Sequence, residues 1–130
     1  MTNIQLNNRW TLWHHASTNH DWSINGFRKV GQVDTVADFL ALMDSISDVG
    51  DGWYYLMKGE GRPFWEDYHG GIHIVPIEGE KTRRDQWLDL CISAITETLE
   101  GDSSKVAGVS ILPDRHSMHE NLAYMKIWYA

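Results

Sequence analysis

The tightest restriction on the fold comes from residues 85–99. Trp87, Leu88, Cys91, Ile92, Ile95 and Leu99 recur there at helical spacing and form a wide apolar face. Such a face has to be covered, and most of the remaining chain consists of short strand-like runs. A second helix is predicted over residues 36–47, with Val36, Phe39, Leu40, Met43 and Ile46 along a stripe that packs on the back of a sheet. Asp34 and Thr35 offer N-cap oxygens, and Asp38 stands in a capping-box-like position. Strands are predicted over residues 10–15, 27–33, 53–58, 72–77, 106–112 and 122–129. Pro76 puts the end of its strand at an edge or a bulge, and Gly101 is expected to stop the second helix. The resulting order is β-β-α-β-β-α-β-β. Strands pairing as hairpins with helices on one face make an α+β fold.

A chain of 130 residues fits one domain and can bury a core without disulfides or metals. Residues 1–7 are polar and are expected to form a flexible N-terminus, with residues 8–130 as the single domain. One cysteine, Cys91, allows no intramolecular disulfide and favours a reducing compartment. With no signal peptide or long apolar segment in the sequence, a soluble cytoplasmic protein without membrane contact is expected. The formal charge of −7 argues against a broad basic face for nucleic acid. It leaves room for binding a single cationic ligand. Seven histidines invite a metal reading. His14 and His15 are strand neighbours and point to opposite faces, while His69, His73, His116 and His119 would converge only through tertiary structure. No Cys-x-x-Cys or His-Glu-x-x-His pattern is present, so no metal and no cofactor are expected. Nor is there a patterned nucleophile, base and orienting group, and the chain is not read as an enzyme.

Chemistry concentrates in Arg62-Pro63-Phe64-Trp65-Glu66-Asp67. Pro63 fixes its own φ and holds Arg62 extended, so the loop is stiff and presents Trp65 beside Glu66. An indole face next to an acceptor-only carboxylate suits a flat, electron-poor ring with hydrogen-bond donors on one edge. Trp22 lies in a second polar loop, His20-Asp21-Trp22-Ser23. Two loop tryptophans can sandwich such a ring, and a cationic ring gains most. A tryptophan taken alone is more often a packing residue, and a lone glutamate is usually a solvated acid.

The ordered set Asn8-Arg9-Trp10-Thr11-Leu12-Trp13, Trp22, Asp34-Thr35-Val36-Ala37-Asp38-Phe39, Pro63-Phe64-Trp65-Glu66-Asp67, Gly70-Gly71, Trp87-Leu88 and Lys126-Ile127-Trp128 resembles the translation initiation factor 4E family. That family binds the 7-methylguanosine cap of mRNA. The resemblance covers nearly the whole chain and lacks the family's usual C-terminal continuation, which implies a shortened, divergent member of viral or protist type. It implies a curved antiparallel sheet of about six strands with two helices on the convex face and the ligand on the concave face. It makes Trp10 and Trp13 structural and Trp22 and Trp65 the stacking pair. It assigns Glu66 to the guanine N1–H and amine, the Trp65 N–H to O6, and Trp128 to the N7 methyl. The family's basic residue after Gly-Gly is replaced by Ile72 and His73. Arg115 is the leading phosphate contact, with His116, His119 and Lys126 behind it. On the convex face, Val36, Leu40, Leu88, Asp89 and Ile92 match the surface that docks a scaffold or inhibitor protein through a short helix. Leu40 replaces a clamping tryptophan there, and Gln5 replaces a proline. The expected function is cap binding in translation initiation or its control. The alternative is an interaction scaffold of the same fold that has lost cap affinity or binds another nucleotide.

Overall fold

The computed structural model describes residues 4–47, 49–78, 82–99, 101–112 and 124–130. Among the described residues six strands form one sheet, in the spatial order β2-β1-β3-β5-β6-β4. They are β1 (Gln5–His15), β2 (Arg28–Thr35), β3 (Trp53–Lys58), β4 (Ile72–Pro76), β5 (Val106–Ile111) and β6 (Tyr124–Tyr129). Every recorded pairing is antiparallel. The sheet is curved and open, and two helices, α1 (Val36–Asp44) and α2 (Arg83–Ile95), cover its convex side. The α+β class and the element order agree with the sequence.

The sheet's two faces follow from the two-residue period of a strand. On β1, Trp10 and Leu12 face the helices, while Thr11, Trp13 and His15 face away. On β3, Tyr54 and Leu56 join the helix-side core, while Tyr55 and Met57 join a second cluster with Trp13, Ala107 and Trp128. The main core therefore lies between sheet and helices, and Phe39 and Met43 of α1 share it with Trp87, Cys91 and Ile95 of α2. The second cluster floors the concave side. Trp10 and Trp13 are both buried, in keeping with a structural role.

Element ends shift from the sequence expectations for local reasons. β1 starts at Gln5, inside the segment expected to be flexible, because Gln5 pairs with Thr35 and the Val36 N–H reaches the Ile4 carbonyl at 3.0 Å. Thr35 caps α1 as expected, its side chain accepting from the Asp38 N–H at 3.0 Å. α1 ends at Asp44, short of residue 47. α2 begins at Arg83 because Thr82 accepts from the Asp85 N–H at 3.1 Å. It ends at Ile95, before Leu99 and Gly101: Thr96 donates its hydroxyl to the Ile92 carbonyl, and Glu97 turns left-handed at φ 59°. Pro76 lies at the end of β4, an edge strand, where its missing N–H costs no ladder bond on the free side.

Candidate functional site

The concave side holds a cavity of 290 Å³. Its floor is the outward row of the sheet: Tyr55 on β3, Ser110 on β5, Lys126 and Trp128 on β6. Its rim comes from two loops. One carries Trp22, the other Pro63, Phe64, Trp65 and Glu66. Trp22, Trp65, Glu66 and Trp128, singled out in the sequence, thus converge on one cavity. Arg115, His116 and His119 lie outside the described residues.

The Trp65 loop is stiff for more reasons than Pro63. Arg62 forms a two-pronged ion pair with Asp67 at 2.9 and 2.8 Å, and its guanidinium lies 5.2 Å from the centre of the Phe64 ring. The Tyr68 hydroxyl donates to the Arg62 carbonyl at 2.9 Å, closing the loop on itself. Trp65-Glu66-Asp67 then forms one short turn of 3-10 helix. Asp67 is consumed in this brace, and its carboxylate raises the Arg62 guanidinium further above an already basic value. Glu66 makes no hydrogen bond or ion pair to another described residue and faces the cavity. Trp65 is 65% exposed, far more than packing would leave it.

Trp22 is held differently. It is 48% exposed, and one face of its indole stacks on His15 with ring centres 3.7 Å apart and planes 6° from parallel. Trp53 meets Trp22 edge-on at 4.8 Å. The preceding turn is pinned by Asp21, which accepts from the Ser23 N–H and hydroxyl at 2.9 and 2.6 Å. Those bonds hold the Asp21 carboxyl below the usual range. Gly26 lets the turn close: a Cβ there would lie 1.6 Å from the Asp21 carbonyl oxygen. Trp22 and Trp65 both line the cavity, and among the described residues no ring contact joins them.

Trp128 is only 5% exposed, yet it lines the cavity floor. Its N–H donates to the Ser110 hydroxyl at 2.9 Å, and Tyr55 and Tyr68 meet it edge-on. Burial pushes the Tyr55 phenol far above its ordinary range, so the floor stays uncharged there. Among the described residues Lys126 is the cation lining the cavity floor, and its ammonium lies 5.7 Å from the centre of the Tyr124 ring.

Sequence reasoning missed Phe27, Trp53, Tyr55 and Ser110 as lining residues. The signal for Trp53 and Tyr55 was the alternation along β3, which puts both on the face that carries Trp13 of β1. For Phe27 and Ser110 no local signal distinguishes them. On the convex side, Leu40 is 41% exposed and Asp89 is exposed, while Val36, Leu88 and Ile92 are half-buried. Among the described residues no cluster of three or more metal-ligating side chains occurs, and no helix is long and apolar enough to cross a membrane. Cys91 is buried in the core, where desolvation raises its thiol well above the usual value.

Fold and site together define a class: a single curved sheet with helices on one side and an aromatic cavity on the other. A family model described as eukaryotic initiation factor 4E matches residues 5–130, and the chain belongs to that family. It is 30% identical over 115 residues to eukaryotic translation initiation factor 4E of Saccharomyces cerevisiae, covering 80% of this chain and 54% of that protein. It is 31% identical over 117 residues to the Homo sapiens factor, covering 82% of this chain and 54% of that protein. The chain thus spans about half the length of these curated relatives. Among solved structures, C. elegans eIF4E-3 in complex with the 4E-binding protein Mextli superposes with a TM-score of 0.71 at 26% identity, covering 98% of this chain and 76% of that one. Ascaris suum eIF4E-3 with an m2,2,7G cap superposes with a TM-score of 0.73 at 25% identity, covering 98% and 74%.

Proposed function

We propose that the chain binds the 7-methylguanosine cap of mRNA in its concave cavity and acts in translation initiation or its control in the cytoplasm, as a binding protein and not an enzyme. The observation that carries this is the convergence of Trp22, Trp65 and Glu66, from two separate loops, on one cavity. The methylated base inserts between the two indoles. Its positive charge makes each stack a cation–π contact, which an unmethylated base does not gain. Glu66, unengaged by any described residue, accepts from N1–H and the exocyclic amine. Adenine lacks that donor pair, so the same carboxylate selects guanine. In this reading the Trp65 backbone N–H, which donates to no described backbone carbonyl, serves O6. Trp128 offers its indole to the N7 methyl. Lys126, with Arg115, meets the phosphates.

The test is quenching of tryptophan fluorescence by 7-methyl-GTP, with GTP alongside. Saturable quenching by the methylated ligand, lost in Trp65→Ala, supports the reading, and equal affinity for both ligands overturns it. Lys126→Ala should weaken 7-methyl-GTP more than 7-methyl-GMP.

A second reading concerns the convex face. Leu40 stands exposed on α1, with Leu88 and Ile92 half-buried and Asp89 exposed on α2. Together with Val36 they offer an apolar surface for an amphipathic helix of a scaffold or inhibitor protein. Leucine in place of a flat clamping ring lowers the affinity of that docking.

A further inference from the structure

The loop that presents Trp65 has an inside and an outside. Its four middle residues, Pro63, Phe64, Trp65 and Glu66, all line the cavity, while Arg62 before them and Asp67 after them do not. The two outer residues close on each other. Arg62 donates from Nε and Nη2 to the two Asp67 carboxylate oxygens, at 2.9 and 2.8 Å. The Tyr68 hydroxyl donates to the Arg62 carbonyl at 2.9 Å and tightens the same closure. This clasp is also seated on the sheet. The Arg62 guanidinium lies 5.2 Å from the centre of the Phe64 ring, and that ring meets Phe27 edge-on at 5.3 Å. Phe27 packs in turn against the buried cluster of Trp13, Tyr55 and Trp128. The side chains that the clasp encloses have no such hold. The Trp65 indole is mostly exposed, and neither it nor the Glu66 carboxylate makes a hydrogen bond, ion pair or ring contact to another described residue.

We infer that Arg62 and Asp67 are positioning residues for Trp65 and Glu66, a clasp outside the cavity that sets the shape of the loop before any ligand arrives. This rests on the cap-binding reading above, in which neither residue contacts the ligand. The backbone that carries an exposed indole and a free carboxylate has to be ordered in the complex, and ordering on binding lowers affinity. A loop already closed at both ends has less left to order. The side chains of the pair are 55% and 30% exposed, so solvent screens their charges and the clasp adds little to the stability of the whole fold. Its effect is concentrated in the loop. Geometry does the holding, because the guanidinium fork meets both carboxylate oxygens at once. Charge alone makes the opposite prediction for one variant. Removing Arg62 leaves Asp67 as an unpaired carboxylate near a cationic base, which by electrostatics strengthens binding. Loss of the clasp weakens it.

The experiment is a set of fluorescence titrations with 7-methyl-GTP and with 7-methylguanosine, which carries the cationic base without phosphates. The proteins are the full chain, Arg62→Gln, Asp67→Asn, the double variant and Arg62→Lys. All keep the seven tryptophans, so one signal serves throughout. Arg62→Gln and Asp67→Asn should each weaken both ligands by the same factor, about two- to tenfold, the range for ordering one long side chain on binding. The double variant should lose no more than either single one, because the two residues act as a unit. Arg62→Lys, a point charge without the fork, should recover only part. Thermal melts should stay close to that of the unsubstituted chain, and a large drop would make the pair a contact that holds the fold and overturn the inference. Arg62→Gln binding as tightly as the unsubstituted chain, or more tightly, overturns it and leaves cap binding standing. A loss confined to 7-methyl-GTP does the same, because it makes Arg62 a phosphate contact. No binding of either ligand by the unsubstituted chain overturns both the inference and the cap-binding reading. A second measurement needs no ligand. The backbone 15N order parameters of Trp65 and Glu66 in the free protein should lie near the rigid value of about 0.85 and fall in Asp67→Asn. Unchanged values overturn the inference.

Discussion

Trp65 and Trp22 reach the same cavity under opposite constraints. Trp65 is 65% exposed on a loop whose stiffness comes from Pro63 and the Arg62–Asp67 pair, so its ring can be removed without disturbing what holds the loop. Trp65→Ala should change stability by no more than about 0.5 kcal/mol, the usual range for a surface position. It should weaken 7-methyl-GTP binding by about 1–3 kcal/mol, the worth of one base-on-aromatic stack. Thermal melts and fluorescence titrations of the same sample separate the two effects. Trp22 packs on His15 and Trp53, so its truncation should cost stability as well as affinity. Ser110 accepts from the buried Trp128 indole N–H. Ser110→Ala leaves that donor unpaired and should destabilise the fold by about 1–3 kcal/mol, read by urea unfolding. The rim residues Trp22, Trp65 and Glu66 were legible in the sequence because each is a chemically expensive side chain placed in a polar loop. Ser110 was not, because a serine in a strand carries no sign of which tryptophan it will meet.

At the scale of elements, regularity decided what could be read. β3 was found over the same residues, Trp53–Lys58, because its apolar run is sharply bounded by glycines. β1 was begun too late. Between Gln5 and Arg9 only Leu6 is buried, and the pairing there rests on backbone bonds to β2 that leave no hydrophobic trace. The helix ends were misplaced for a related reason. The apolar stripe gives a helix's middle, while its ends are set by single polar atoms. Thr82 is such a case. Its hydroxyl takes the Asp85 N–H and fixes the start of α2. Thr82→Ala should cost about 1 kcal/mol of stability, the ordinary worth of an N-cap. Thr82→Ser should restore most of it, and calorimetric melting of the two variants checks both. The cavity should be indifferent to either, because the α2 start does not line it.

Across the whole molecule, one sheet divides two kinds of work. Its convex side is a helix-covered core, and its concave side is an aromatic floor under two loops. Besides the shared core, Arg84 ties the two helices together. From the first turn of α2 its guanidinium donates to the Met43 carbonyl at 2.8 Å and the Ile46 carbonyl at 3.1 Å, past the end of α1. The last carbonyls of a helix have no partner within it and carry the negative end of its dipole, so a half-buried guanidinium satisfies both needs at once. Asp44, 4.0 Å away and exposed, adds little to this. Charged hydrogen bonds of this kind each contribute about 1.5–3 kcal/mol. Arg84→Ala removes two of them and leaves the α1 carbonyls to water where they can reach it. We expect a loss of about 2–4 kcal/mol in chemical denaturation. Arg84→Lys, a point charge without the fork, should recover only part. If the two faces are independent, the folded fraction of Arg84→Ala binds 7-methyl-GTP as tightly as the unsubstituted chain, and a helical peptide on the convex face loses affinity. A matching loss on the concave side would instead mean that the helix layer sets the curvature on which the aromatic floor depends.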